Sequence, residues 1–228
     1  MKQNKKLIPA LAANLLIPAL VIAAWLWSSL TPPEPGTLQG NWFTSLRFYT
    51  NLSNLFAGIT ALCYALGLLR ILRGRAQAVC AAVQTLALVG TAAITLTFLT
   101  VAIFLAPAAP QLHLFGKSGF LFHLLIPVLC IAVYVLLDGF GTPCRFAWLL
   151  GALPMLLYGV CYTANCLING YESEWTPESN DWYGFLVNGL PAGLVSFLVM
   201  ALMTVGAGVL LHWGNRRFAR RASGLRKS

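Results

Sequence analysis

Six long apolar runs, separated by short polar stretches, constrain this chain more than any other feature. They cover about residues 7–30, 46–69, 78–105, 119–137, 146–168 and 184–213. Each is close to the length of about 20 apolar residues that a helix needs to cross the hydrocarbon core of a bilayer. Of the 228 residues, 58% are hydrophobic and only 9% are charged, which leaves no room for a separate soluble domain. The sequence therefore predicts a single all-α domain, a polytopic membrane protein with six transmembrane helices, followed by a basic tail at residues 214–228.

Lysine and arginine are divided unequally between the two sides of this six-span arrangement. Thirteen of the fifteen lie in the amino-terminal segment, the loops at residues 70–75 and 138–145, and the carboxyl-terminal tail. Only Arg47 and Lys117 lie on the opposite side, which also carries five of the six acidic residues. Because basic loops are retained in the cytoplasm, we expect both termini of this integral membrane protein to be cytoplasmic.

Charge and cysteine usage argue against two other classes of function. The net charge of +9 comes from helix ends and the tail, not from a basic groove interleaved with aromatic side chains, so we expect no nucleic-acid partner. The six cysteines lie mostly in apolar runs and show neither a C-x-x-C pair nor the His/Cys spacing of a metal site. We therefore expect no metal and no cofactor, and membrane lipids as the surroundings of the chain.

Four polar side chains interrupt the start of the second apolar run, in the stretch RFYTNLSNL at residues 47–55. Thr50, Ser53 and Asn54 are spaced i, i+3, i+4 and therefore share one face of a helix. A polar face is costly to bury in lipid, so it is expected to point at the bundle interior or at a cavity. This stretch is the first candidate for a functional site.

A histidine lies inside the fourth run, in the stretch FLFHLLIP at residues 120–127. His123 can take up and return a proton near neutral pH. Pro127 follows four residues later and has no N–H to offer the carbonyl of His123, so a bend is expected there. Because spans 2 and 4 start from the same face, Thr50 and His123 are predicted to lie at equal depth, about one helical turn below the outer boundary.

These two stretches resemble the hallmark of the androgen-induced-protein family, whose characterised members are integral-membrane threonine hydrolases acting on fatty acid esters of hydroxy fatty acids. The six-span layout extends the likeness over most of the chain. The His123 motif resembles that of the family's prokaryotic branch, because it carries Pro127 at the position expected there. The resemblance implies that Thr50 is the nucleophile and His123 the catalytic histidine. It also implies a lipid-ester substrate and a bacterial plasma membrane location.

Several other polar residues are candidates for substrate binding or for stabilising an oxyanion. The oxyanion donor is open among Asn51, Asn54 and Tyr162, and Ser53 shares the polar face of span 2. Since no acidic third member is required, the simplest hypothesis is a Thr–His dyad that an Asn or Tyr side chain orients.

A polar stripe follows one face of the fifth run. Tyr158, Tyr162, Asn165 and Asn169 are spaced i, i+4, i+7 and i+11. Such a stripe is suited to lining the cavity, orienting His123 or binding an ester oxygen, and it is equally typical of helix packing.

Three other interpretations remain open at this point. The Thr50 hydroxyl is also suited to bonding back to the carbonyl of Leu46, and Ser53 and Asn54 to joining helices without any chemistry. A lipid acyltransferase would use the same dyad and differ only in the acceptor. A transporter or scaffold would use the same fold with no reaction at all.

Overall fold

The computed structural model describes residues 4–32, 40, 42–108, 110–112, 114–171, 174, 176 and 178–219. Within this part the chain is helical and contains no β-strand. Six helices are long and apolar enough to cross a membrane, and they are numbered here as spans 1 to 6: Lys6–Leu30, Tyr49–Leu72, Ala81–Leu105, Lys117–Leu136, Ala147–Asn169 and Leu190–Arg217. The prediction of an all-α, six-span membrane protein is confirmed.

Spans 2 and 6 start several residues later than predicted, and each difference has a physical cause. Span 2 starts at Tyr49 because Trp42–Arg47 forms a separate 3₁₀ turn before it. Span 6 starts at Leu190 because Gly184 and Gly189 adopt positive φ values of 70° and 86°, which interrupt a helix. The apolar residues between these glycines belong to a buried loop, which hydropathy alone does not distinguish from a span.

Some sequence predictions fall outside the described residues. Span 6 continues to Arg217, so the predicted tail begins as helix, while residues 220–228 of that tail are not described. Residues 33–39, a proline-containing stretch for which the sequence predicts a loop, are also outside the described part.

Span 3 is the central helix of the bundle and packs against spans 2, 4, 5 and 6. It is rich in small residues, and a Cβ at Gly90 would collide with the side chain of Thr60 on span 2. The hydroxyls of Thr91 and Thr95 each donate a hydrogen bond of 2.7 Å to the carbonyl four residues earlier. Small side chains allow the backbones of neighbouring helices to approach closely, as is common for helices that associate in lipid. The threonine hydroxyls are paired within their own helix and therefore leave no unpaired polar group at this interface.

A buried polar cluster joins four spans at the end of the bundle where span 1 begins. The carboxylate of Asp138 accepts a 2.7 Å hydrogen bond from the amide of Asn14. The Asp138 carbonyl accepts from the amides of Gln84, at 3.0 Å, and Asn215, at 2.9 Å. All four side chains are at most 3% exposed, so this cluster fixes the turn after span 4 against spans 1, 3 and 6.

The buried Asp138 carboxyl predicts a pH-dependent stability. Burial raises the pKa of Asp138 to about 8, and the Asn14 hydrogen bond only partly opposes the rise. The unfolded chain releases this proton near pH 4, so the stabilising contribution of the protonated carboxyl is complete below pH 4 and is lost as the pH rises to about 8. We expect the unfolding temperature of the purified protein in detergent to fall across this window. In Asp138→Asn, which keeps the shape, this component should vanish, and an unchanged slope would contradict the assignment.

Two π-helical segments interrupt the spans at the opposite end of the bundle. One covers Thr100–Leu105 at the end of span 3, and the other covers Leu121–Leu125 at the start of span 4. In the second, the N–H of Ile126 bonds to the carbonyl of Leu121, five residues earlier. The irregularity expected near Pro127 is thus a wide helical turn, a feature that often occurs at functional sites.

Candidate functional site

A cavity of about 70 Å³ lies among the start of span 2, the π-helical part of span 4 and the loops beside them. Its polar lining residues are Ser28, Thr50, Asn51, His123 and Tyr183. Leu105 and Phe122, one from each π-helical segment, supply part of its apolar wall. The two residues predicted to meet at equal depth, Thr50 and His123, therefore share one cavity.

The ring of His123 is held by a backbone carbonyl. Its Nδ1 atom lies 2.5 Å from the carbonyl oxygen of Leu114. A carbonyl can only accept, so Nδ1 carries the hydrogen and Nε2 is the acceptor of the neutral ring. The tautomer is the one that a general base needs.

A glycine makes this contact possible. A Cβ at Gly119 would collide with the Leu114 carbonyl and would lie 3.5 Å from His123 Nδ1. We predicted an Asn or Tyr side chain as the orienting group, whereas the group in contact with Nδ1 is a main-chain carbonyl. No residue type marks such a partner, so sequence reasoning had no signal for it.

Thr50 lies at the second position of span 2. The helix begins only at Tyr49, after Phe48 in an extended conformation, so Leu46 is not part of the same helix. Among the described residues the Thr50 hydroxyl donates no hydrogen bond to the Leu46 carbonyl and makes no direct hydrogen bond to His123. Thr50 lines the same cavity as Tyr183.

Tyr183 caps the amino terminus of span 2 from a distant loop. Its hydroxyl oxygen accepts the N–H of Tyr49 at 3.0 Å. Burial raises the pKa of Tyr183 to about 12, although the Tyr49 hydrogen bond opposes the rise, so the phenol keeps its proton at neutral pH. The cap fixes the backbone that carries Thr50.

Tyr183 is a site residue that sequence reasoning missed. It lies in the loop between spans 5 and 6, in the stretch NDWYG, where no helical spacing connects it with the polar face of span 2. The only available signal was the pair of aromatic residues directly after Asp181.

The polar stripe of span 5 does not line this cavity. The Tyr158 hydroxyl donates to the Arg47 carbonyl at 2.7 Å and accepts the indole N–H of Trp182 at 3.1 Å. The Tyr162 hydroxyl donates to Asp181 at 2.5 Å and accepts the N–H of Tyr183 at 3.0 Å.

The remaining stripe residues bind the same loop. Asn165 donates to the carbonyl of Asn180 at 3.4 Å and accepts from Asn169 at 3.0 Å. Asp181, 1% exposed, folds inward and also accepts the N–H of Leu186 at 2.8 Å. The stripe is thus a scaffold that holds the loop carrying Tyr183, and neither the Tyr162 hydroxyl nor Asn165 reaches the cavity to act as an oxyanion donor or to bind an ester.

The polar face of span 2 divides into a cavity side and a packing side. The Ser53 hydroxyl is 2% exposed and lies 2.7 Å from the Thr97 hydroxyl on span 3. Asn54 is fully buried and donates both amide hydrogens, to the Thr50 carbonyl at 2.8 Å and the Phe122 carbonyl at 3.1 Å. Ser53 and Asn54 therefore join helices, and the amide of Asn54 has no hydrogen left for an oxyanion.

Asn51 is the other polar residue of span 2 that lines the cavity, besides Thr50. Its amide donates one hydrogen to the Ser45 carbonyl at 2.8 Å, and an amide nitrogen has a second hydrogen. The donors suited to an oxyanion are therefore Asn51, predicted from the sequence, and Tyr183, which was not.

We expect Tyr183→Phe to loosen the start of span 2. Loss of the cap should lower the free energy of unfolding by about 1 kcal/mol, the usual effect of removing a helix cap. Hydrogen exchange measured by mass spectrometry should become faster at the Tyr49 and Thr50 amides. Tyr171→Phe, a change at an exposed tyrosine of the same connecting region, is the matched control. Unchanged exchange at these amides would show that the cap is not formed.

The fold and the cavity define a class: an integral membrane protein of six helices with a polar site enclosed near one end of the bundle. Comparison with known proteins adds no relative, since no protein-family model, no curated protein and no solved structure matches this chain.

Proposed function

We propose that this protein is an intramembrane lipid-ester hydrolase with Thr50 as nucleophile and His123 as general base. The observation that carries the proposal is the single cavity lined by both residues, with His123 Nδ1 bonded to the Leu114 carbonyl and Nε2 left as the acceptor. The resemblance of the two motifs to the androgen-induced-protein family supports the same roles. On that resemblance, the substrate class is fatty acid esters of hydroxy fatty acids or related lipid esters.

In the proposed first step, the Thr50 hydroxyl attacks the ester carbonyl while His123 Nε2 takes the hydroxyl proton. The hydroxyl must come within hydrogen-bonding distance of Nε2 as substrate enters, since it makes no bond to His123 in the free protein. The imidazolium then gives the proton to the departing alkoxide, which leaves as an alcohol, and the acyl group remains on the Thr50 oxygen.

The second step returns the enzyme to its starting state. His123 takes a proton from water, the resulting hydroxide attacks the acyl carbonyl, and the proton returns to the Thr50 oxygen as the fatty acid leaves. In both tetrahedral intermediates the negative oxygen needs donors already in place. The second amide hydrogen of Asn51 and the phenol of Tyr183 are assigned to that task.

Covalent labelling tests the proposal most directly. Purified protein in detergent is treated with a fluorophosphonate probe, which phosphonylates activated serine and threonine hydroxyls, and the modified peptide is located by mass spectrometry. We expect modification at Thr50 and competition by a lipid ester. Modification only at other residues, together with no turnover of any lipid ester, would overturn the proposal.

We further propose that the protein lies in a bacterial plasma membrane with both termini in the cytoplasm. The support is the distribution of thirteen of fifteen basic residues on the side of the termini. The candidate site then faces the outer half of the bilayer, because span 2 enters the membrane from the outside.

This topology predicts the behaviour of carboxyl-terminal reporter fusions. Green fluorescent protein fused after residue 228 should fluoresce, because it folds in the cytoplasm, whereas alkaline phosphatase at the same place should be inactive. A fusion placed in the loop between spans 5 and 6 should give the reverse result. Active phosphatase at the carboxyl terminus would place the site in the inner half of the bilayer.

A further inference from the structure

A second concavity adjoins the candidate site on the side of span 1. It has a volume of about 160 Å³ and is lined by Val21, Ile22, Trp25, Phe43, Leu46 and Leu55. Asn51 and Phe122 line both this groove and the cavity that holds Thr50 and His123. The two spaces are therefore neighbours, one polar and one almost entirely apolar, and they meet at these two shared residues.

The groove runs from the level of the site toward the middle of the membrane. Along span 1, Val21 lies about 10 Å deeper than Ser28, which lines the polar cavity, at a rise of about 1.5 Å per residue. Along span 2, Leu55 lies about 7 Å deeper than Thr50. Both walls descend in the same direction, as the hydrocarbon chain of a lipid does from its polar end.

One wall of the groove is fixed by contacts of its own. The Trp25 indole donates to the Ser45 hydroxyl at 3.1 Å and packs edge-on against Trp42 and Phe43, with ring centroids 5.7 and 6.4 Å apart. The groove is also open to the membrane, since two residues that line it, Ile22 and Phe43, are 56% and 78% exposed. A lipid chain therefore has a lateral entrance and a rigid surface to lie against.

We propose that this groove binds the acyl chain of the ester whose carbonyl is attacked by Thr50, so that the substrate is a long-chain lipid ester entering from the bilayer. The inference rests on the proposed function. Lipid tails are as apolar as the groove, so moving a chain into it gains little from the hydrophobic effect. Its contribution is shape: a seated chain holds the ester carbonyl beside Thr50, and such positioning accelerates the attack.

Filling the groove tests this assignment through chain-length preference. We compare kcat/KM for the p-nitrophenyl esters of palmitate and butyrate and take the ratio of the two values. Leu55→Trp should lower the palmitate-to-butyrate ratio roughly tenfold, the scale on which pockets discriminate hydrocarbon groups. Ile22→Trp, on the facing wall and 56% exposed, should do the same and serves if Leu55→Trp does not fold.

The matched control is Leu62→Trp. Leu62 lies on the same helix, is 43% exposed against 41% for Leu55, and does not line the groove. Its ratio should equal that of the unmodified protein. A ratio that stays the same in Leu55→Trp and Ile22→Trp would overturn the assignment of the groove.

A second measurement separates this inference from the proposed reaction. Palmitate with a diazirine near the middle of its chain is photolysed with the Thr50→Val variant, and crosslinked peptides are mapped by mass spectrometry. We expect crosslinks concentrated at residues 21–25 and 43–55 and reduced in Ile22→Trp. Such crosslinks, together with no ester turnover by the unmodified protein, would keep the acyl-chain site and reject the hydrolase. Crosslinks spread evenly over the lipid-facing helices would reject the groove.

Discussion

Thr50→Val should abolish ester turnover and fluorophosphonate labelling while leaving the protein folded. Valine keeps the branched shape of threonine and removes only the hydroxyl, so the packing at the start of span 2 is retained. Loss of a nucleophile lowers kcat/KM by roughly three orders of magnitude or more. The measurement is turnover of a lipid ester by purified protein, with thermal unfolding in parallel.

Two variants isolate the hydroxyl as the cause. Thr50→Ser keeps a hydroxyl at the same place and should retain part of the activity. Thr60→Val removes a threonine hydroxyl from the same helix, one that bonds to the Ala57 carbonyl at 3.0 Å and lies outside the cavity, and should behave like the parent. Turnover by Thr50→Val at the parent's rate would mean that the hydroxyl takes no part in the reaction, and Thr50 would be rejected as the nucleophile.

His123→Ala should cause a loss of similar size, and combining it with Thr50→Ala should add little. A nucleophile and its base act as a unit, so removing either leaves almost nothing for the second change to remove. The expected result is that both single variants and the double variant have nearly equal residual kcat/KM. The measurement is the same ester assay, extended to long incubation so that residual rates can be compared.

The control for the histidine is His212→Ala. His212 lies near the far end of span 6, away from the cavity, and its replacement should leave turnover unchanged. If the losses of Thr50→Ala and His123→Ala instead multiply in the double variant, the two residues act independently and the dyad is wrong.

The geometry around His123 also explains how a site without an acidic third member can be oriented. In serine hydrolases a buried carboxylate holds the histidine in the useful tautomer. Here the Leu114 carbonyl, 2.5 Å from Nδ1, fixes the tautomer with a neutral group. A neutral orienting group avoids placing a charged side chain within the membrane, where burying a charge costs free energy.

The six spans could be predicted from the sequence, and so could the shared location of Thr50 and His123, which line one cavity in the structure. Apolar length decides which segments leave water, and the rise of a helix then converts residue number into depth. Neither step requires knowing which helices are in contact. Helical spacing also predicted that the polar face of span 2 points inward, and Ser53 and Asn54 are indeed only 2% and 0% exposed.

Which polar residues reach the cavity depends on how distant parts of the chain pack together. Helical spacing placed Tyr158, Tyr162 and Asn165 on one face but could not say that this face holds the loop carrying Tyr183. Helical spacing also could not show the contact of His123 with the Leu114 carbonyl. Every residue has a main-chain carbonyl, and a loop has no regular spacing that would indicate which one is in contact. The depth of a residue in the membrane follows from its position along a helix. The partner of its side chain depends instead on how helices and loops that are distant in the sequence pack together.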